Sequence, residues 1–155
     1  RPMPKLLSRL LVRYPILSRH PHPMVVHFPI VFMYSAGLFN FLYLISGIRS
    51  FEVTAMHCLG GGILFTPVAM LTGWFTWWLN YLARPMRPVT LKIRFSILLM
   101  VASVGAFIWR IWDPGILLSF TGRSIFYFLL ILSLIPIVTV TGWFGATLTF
   151  PLKGK

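Results

Sequence analysis

The stretch His20-Pro21-His22-Pro23-Met24-Val25-Val26-His27-Phe28-Pro29-Ile30 runs straight into an uncharged apolar segment that continues to Gly47. It holds three of the chain's four histidines and three of its prolines. An apolar run of that length is a membrane-spanning helix, and ionisable side chains at its mouth are costly enough to ask for a partner.

Composition agrees with a membrane solvent. Apolar residues make up 57% of the 155, charged residues 10%, and the mean hydropathy is +0.84. One soluble core of this size cannot hide so much apolar surface, so lipid must cover the rest. Three further spans follow the first, which runs from about Pro23 to Gly47. They run from about Val53 to Tyr81, from Ile93 to Trp112 and from Ser124 to Phe150. Each is long enough to cross ~30 Å of hydrocarbon. Ile48–Glu52 is a tight connection, 82–91 a proline-punctuated loop, and 113–122 contains an Asp-Pro-Gly turn.

Before the first span, Lys5, Arg9 and Arg13 recur every fourth residue, with Leu6, Leu7, Leu10, Leu11 and Tyr14 on the other side. This spacing predicts an amphipathic helix lying in the headgroup plane. The expected architecture is therefore an all-α membrane protein. A four-transmembrane-helix bundle spans 20–150, an N-terminal interfacial segment spans 1–19, and a cytoplasmic tail spans 151–155. The start at Arg1, with no signal peptide in the first twenty residues, suggests a chain that continues upstream or has been processed.

Lys and Arg outnumber Asp and Glu fourteen to two. Eleven of the basic residues fall on the side of the N-terminus, the 82–92 loop and the C-terminus. Arg49, Arg110 and Arg123 fall on the other, with both acids, Glu52 and Asp113. That bias puts both termini on the cytoplasmic side. The basic residues cluster at span ends, which excludes a nucleic-acid face and points to anionic lipid. Trp74, Trp77, Trp78 and Trp143 fall toward one interface, Trp109 and Trp112 toward the other.

Pro67-Val-Ala-Met-Leu-Thr72-Gly73-Trp74-Phe75 and Pro136-Ile-Val-Thr-Val-Thr141-Gly142-Trp143-Phe144 repeat at an offset of 69 residues. Both copies run in the same direction through the membrane, so the bundle reads as a duplicated helical hairpin. Each proline frees a carbonyl, at Ile63 and Leu132, and such groups need shielding in hydrocarbon. The kinks are therefore expected to face neighbouring helices.

The lone Cys58 excludes an internal disulfide and any paired-cysteine metal or redox motif. No nucleophile–base pair, paired carboxylates, phosphate loop or zinc spacing is present, and both acids read as lying at the aqueous edge. The candidates for chemistry are the intramembrane histidines. His27 and His57 stand near opposite faces, separated by about 25–30 Å of helix, and cannot ligate one haem within one subunit. Each is a candidate metal ligand on its own account. Beside His57, Gly60 and Gly61 offer a flat patch for a porphyrin or a quinone, with Asn40 at the depth needed to orient the imidazole. The competing reading makes His57 and Asn40 interhelical polar contacts. His20, His22 and His27 cluster with Arg94, Lys92 and Tyr34 at the cytoplasmic face, where a quinone headgroup or haem propionates would find donors. The competing reading makes His20 and His22 headgroup-level residues ahead of a helix start, with Pro23 in its first turn.

At His20–Ile30, Thr72–Tyr81 and Thr141–Phe150 the chain resembles a bacterial family of four-helix membrane proteins, DUF2231. Its hallmark is HPxxVHFP entering the first helix, followed by a Gly-rich second helix and a Gly-Trp end to the fourth. Many members carry a further histidine at the start of the third span that would pair with the equivalent of His27 across a haem; here Thr90-Leu91-Lys92-Ile93-Arg94 stands at that place. A similar branch has a cytochrome b5-like domain ahead of the membrane part. The resemblance implies a membrane-anchored redox protein exchanging electrons with quinone, with haem b or quinone as cofactor and a redox partner protein or a second copy as partner. The functional expectation is a membrane module of an electron-transfer system. The alternatives are a non-catalytic accessory subunit and a small-solute permease; an intramembrane carboxylate and an inverted repeat, which a permease would favour, are both missing from the pattern.

Overall fold

The computed structural model describes residue 13, residues 22–81, 83–119 and 121–149. The interfacial segment (Arg13 apart), His20 and the tail lie outside the described residues. Among the described residues from His22 onward, five helices follow in order: α1 His22–Val25, α2 His27–Ser46, α3 Arg49–Tyr81, α4 Arg87–Trp112 and α5 Gly122–Thr149. Among the described residues there is no strand. Four helices are long and apolar enough to cross a membrane, over His22–Ser46, Arg49–Leu79, Arg87–Trp112 and Gly122–Leu148. Each begins between one and six residues before the expected span, and all but the third end one or two residues short of it.

The ends follow from local chemistry. Gly47 closes α2 at φ 68°, a left-handed conformation that glycine adopts without strain, and its N–H donates to the Tyr43 carbonyl at 2.8 Å. Pro88 occupies the first turn of α4, where the missing N–H costs nothing. At the far end of α4 the Asp113 N–H donates to the Trp109 carbonyl, and the Asp-Pro-Gly turn is closed by Ile116 N–H on the Asp113 carbonyl at 3.1 Å.

The closest packing lies within each hairpin, α2 with α3 and α4 with α5. Two thinner seams, α2–α5 and α3–α4, join the hairpins, and the diagonal pairs do not meet. The bundle is thus a square of two sequential hairpins, as the internal repeat suggests. Met33, Leu59, Tyr127, Ile131 and Leu134 fill its centre. The outer surface is equally apolar, with Leu64, Leu71, Val101 and Phe126 exposed, as lipid requires.

The prolines depart from expectation. Pro67 is half-buried, but Pro136 is exposed on the outside of α5. An apolar ring facing lipid costs little, and it sits over the carbonyl four residues earlier that its own missing N–H leaves free. The ring can shield that group without a neighbouring helix.

Candidate functional site

One polar cluster forms where α1, α3, α4 and α5 meet at the His22 end. His22 opens α1, and its imidazole lies against α3 at Gly73, where a Cβ would stand 2.8 Å from His22 Cε1. Nδ1 is 3.2 Å from Thr72 Oγ1, and Nε2 is 2.5 Å from Lys92 Nζ. The Thr72 hydroxyl also lies within reach of the Val68 and Ala69 carbonyls, at 3.0 and 3.1 Å, so it donates there and accepts from the imidazole. That favours one tautomer. Nδ1–H donates to Thr72, and Nε2 accepts from Lys92. Lys92 then keeps two further N–H donors, and Gly145 of α5 leaves room beside its ammonium. Gly73 thus seats a polar ring, whereas its counterpart in the second copy, Gly142, meets the apolar Ile30 at 3.6 Å.

The seat at Gly73 can be tested by itself. Gly73→Ala is expected to destabilise the protein by about 1–2 kcal/mol, because the added methyl collides with a ring held at both nitrogens. Thermal melts in detergent of Gly73→Ala alone and in a His22→Ala background check this: the penalty should vanish once the ring is gone.

The other expected site residues are spread out. His27 and His57 are both exposed, at opposite ends of the bundle. Arg94 is exposed on α4. Asn40 is 3% exposed on the inward face of α2, whereas His57 points outward from α3. Gly61 meets the Phe32 ring and Gly60 the Phe107 ring, so aromatic side chains of this chain lie on the glycine patch. Tyr34 donates or accepts at Thr139 Oγ1, 2.6 Å away. Among the described residues no three His, Cys, Asp or Glu side chains come together as a metal site. Cys58 is free and half-buried.

At the opposite end lies a feature the sequence reading missed. Glu52 of α3 and Arg110 of α4 form a buried two-pronged ion pair, Nε to Oε1 and Nη2 to Oε2, the latter at 2.7 Å. Both residues are buried, at 6% and 5% exposure. Tyr127 of α5 lies close enough to feel both charges, and Tyr43 of α2 lines the same shallow cleft as Glu52. Each span thus contributes one side chain to a polar layer, capped by Ile116 and Leu117 of the α4–α5 turn. The expectation that Glu52 sits at the aqueous edge is corrected here: the turn folds over it, and Arg110 neutralises it. The signal was available in the helical register. Glu52 shares its face with Ala55, Leu59, Gly62 and Thr66, and Arg110 with Leu99, Ser103 and Ala106.

No curated protein matches this chain, and no solved structure does. The family described as "Predicted membrane protein (DUF2231)" matches residues 19–154, nearly the whole chain, and the protein belongs to that family.

Proposed function

We propose that the chain is the membrane module of an electron-transfer system, anchoring a haem domain or redox partner subunit and taking up a quinone headgroup at its His22 end. The observation that carries this is the Thr72–His22–Lys92 chain of hydrogen bonds. In it a cationic donor near the start of α4, with two further N–H groups, is oriented through an imidazole seated on α3. A quinone carbonyl is an acceptor that such a donor suits, and a bound quinone would supply two-electron, two-proton chemistry there. Thr72 and Gly73 orient His22, His22 orients Lys92, and Lys92 offers the proton. The surplus of Arg84, Arg87, Lys92 and Arg94 at this end supports placing it on the cytoplasmic side of a bacterial inner membrane.

For haem b, His27 and His57 remain the candidate ligands. Because both face outward from opposite ends, a bis-histidine site would need a second copy, with His57 of each subunit on one iron. The accessory-subunit alternative gains support from Phe32, Met33 and Phe107 packing on the glycine patch, since these contacts are structural in themselves. A permease gains none from a centre filled by Met33, Leu59, Ile131 and Leu134.

The test combines an absorption spectrum of the purified chain with titration of a short-tail ubiquinone, followed by tryptophan fluorescence. The expected result is quinone binding that weakens about tenfold or more in Lys92→Gln, the loss of one charge-assisted hydrogen bond. His22→Ala should weaken it too, whereas Arg123→Gln should not. A Soret band that disappears in His57→Ala or His27→Ala would replace quinone with haem. A colourless protein that binds no quinone would leave the scaffold alternative.

A further inference from the structure

The connection between α3 and α4 is held more firmly than a topological charge signal requires. Ala83 adopts φ 54°, in the left-handed region that a Cβ disfavours, and its N–H donates to the Trp77 carbonyl. The Trp77 indole Nε1 in turn donates to the Arg84 carbonyl at 2.8 Å. Pro85 restricts the next step, Met86 is extended, and its carbonyl accepts the Thr90 N–H at 3.0 Å as α4 begins. The result presents Arg84 and Arg87 outward, three residues apart on a pinned backbone, with Arg94 exposed two turns further along. Membrane orientation depends on how many cations a short loop carries, not on their geometry. The chain's two acidic side chains, Glu52 and Asp113, both stand at the opposite end of the bundle, so neither can neutralise this face.

We infer that the pinned Arg84–Arg87 loop is a docking surface for an acidic soluble redox protein. The partner's redox character rests on the electron-transfer reading above; its acidity rests on the charge and geometry of the loop. Lys92 follows Arg87 by five residues, about 7.5 Å of helix, so a docked partner stands close to the Thr72–His22–Lys92 cluster.

The experiment uses the full chain in nanodiscs of uncharged phosphatidylcholine and a fluorescent polyglutamate peptide as probe, read by anisotropy. Arg84→Gln/Arg87→Gln is expected to weaken binding about tenfold, the loss of two exposed charge pairs. Arg49→Gln/Arg123→Gln, at the other end, should leave it unchanged. Trp77→Phe keeps every charge and releases the loop, and should weaken binding about threefold, a fraction of one contact's worth. Equal affinity in Arg84→Gln/Arg87→Gln, a loss reproduced by Arg49→Gln/Arg123→Gln, or no effect of Trp77→Phe overturns the proposal. So does abolition of binding when phosphatidylglycerol is added to the discs, which would make lipid the occupant. Ubiquinone titration of the same discs separates the two readings, since docking and quinone binding can each fail alone.

Discussion

Arg110→Ala should destabilise the bundle by about 3–5 kcal/mol, more than any other single substitution considered for this chain. The reason is what remains behind. Glu52 is buried at 6% exposure, and without the guanidinium its carboxylate must stay charged in an apolar layer, take up a proton, or drag the α3 end into water. Every choice is unfavourable. Glu52→Gln should cost less, because the amide oxygen still accepts from Arg110 but the charge is lost. Replacing both partners at once, Glu52→Leu with Arg110→Met, should recover most of the stability and can exceed the wild type, since the desolvation of two ions is then avoided. Chemical or thermal unfolding of all four proteins in one detergent reads this order of stabilities. If Arg110→Ala unfolds together with the wild type, the pair is not buried in solution as it is here, and the polar layer of Tyr43, Glu52, Arg110 and Tyr127 loses its role.

That layer also shows where sequence reading succeeds and where it stops. Span positions were legible because uncharged runs, Gly47, the Asp-Pro-Gly turn and the tryptophans all mark the same boundaries. The hairpin duplication was legible because a proline, a four-residue spacer and Thr-Gly-Trp-Phe recur at one offset. What depth along a span leaves out is the face of the helix that a residue occupies, which only its register with its neighbours carries. Met33, Ala36, Gly37, Asn40 and Tyr43 form the buried stripe of α2, so Asn40 points inward while His27 falls off the stripe. On α3 the stripe runs through Glu52, Ala55 and Leu59, which turns His57 outward and Glu52 inward. Arg94 lies off the α4 stripe of Val89, Ser96 and Leu99. Histidines attract attention as ligands and a charge near a span end reads as solvated; here helical phase reverses both impressions. The His22–Lys92 contact was half legible. The cytoplasmic cluster contained both residues, but only the fold brings α1 onto Gly73 and so aims the imidazole at α4.

Gly61→Ala carries the second large effect, about 2–3 kcal/mol of destabilisation, at the upper end of what overpacking costs. Within a bilayer the hydrophobic effect does not draw helices together, because lipid tails are as apolar as the side chains they replace. Association rests on close packing, which makes small residues at contacts worth more than their size. A Cβ at Gly61 would stand 2.9, 3.0 and 3.1 Å from three atoms of the Phe32 ring. Phe32 has little freedom to retreat, since it stacks on Phe65 at 5.9 Å and 22°, and Phe65 stacks on Phe28 at 4.7 Å. Gly62 is different: its added methyl would meet the end of Met33, a flexible chain that can rotate aside. Gly62→Ala should therefore cost distinctly less, although its clearance of 2.6 Å is shorter. Replacing Phe32 by leucine should relieve most of the Gly61→Ala penalty, because the collision is with the ring edge. Melting the three variants side by side distinguishes packing from ligand loss. A cofactor lying on Gly60 and Gly61 would make Gly61→Ala sensitive to added haem or quinone, whereas a contact filled by Phe32 makes the penalty independent of either. An added-cofactor shift in that melt would mean that Phe32 swings away and the glycine patch is a binding surface after all.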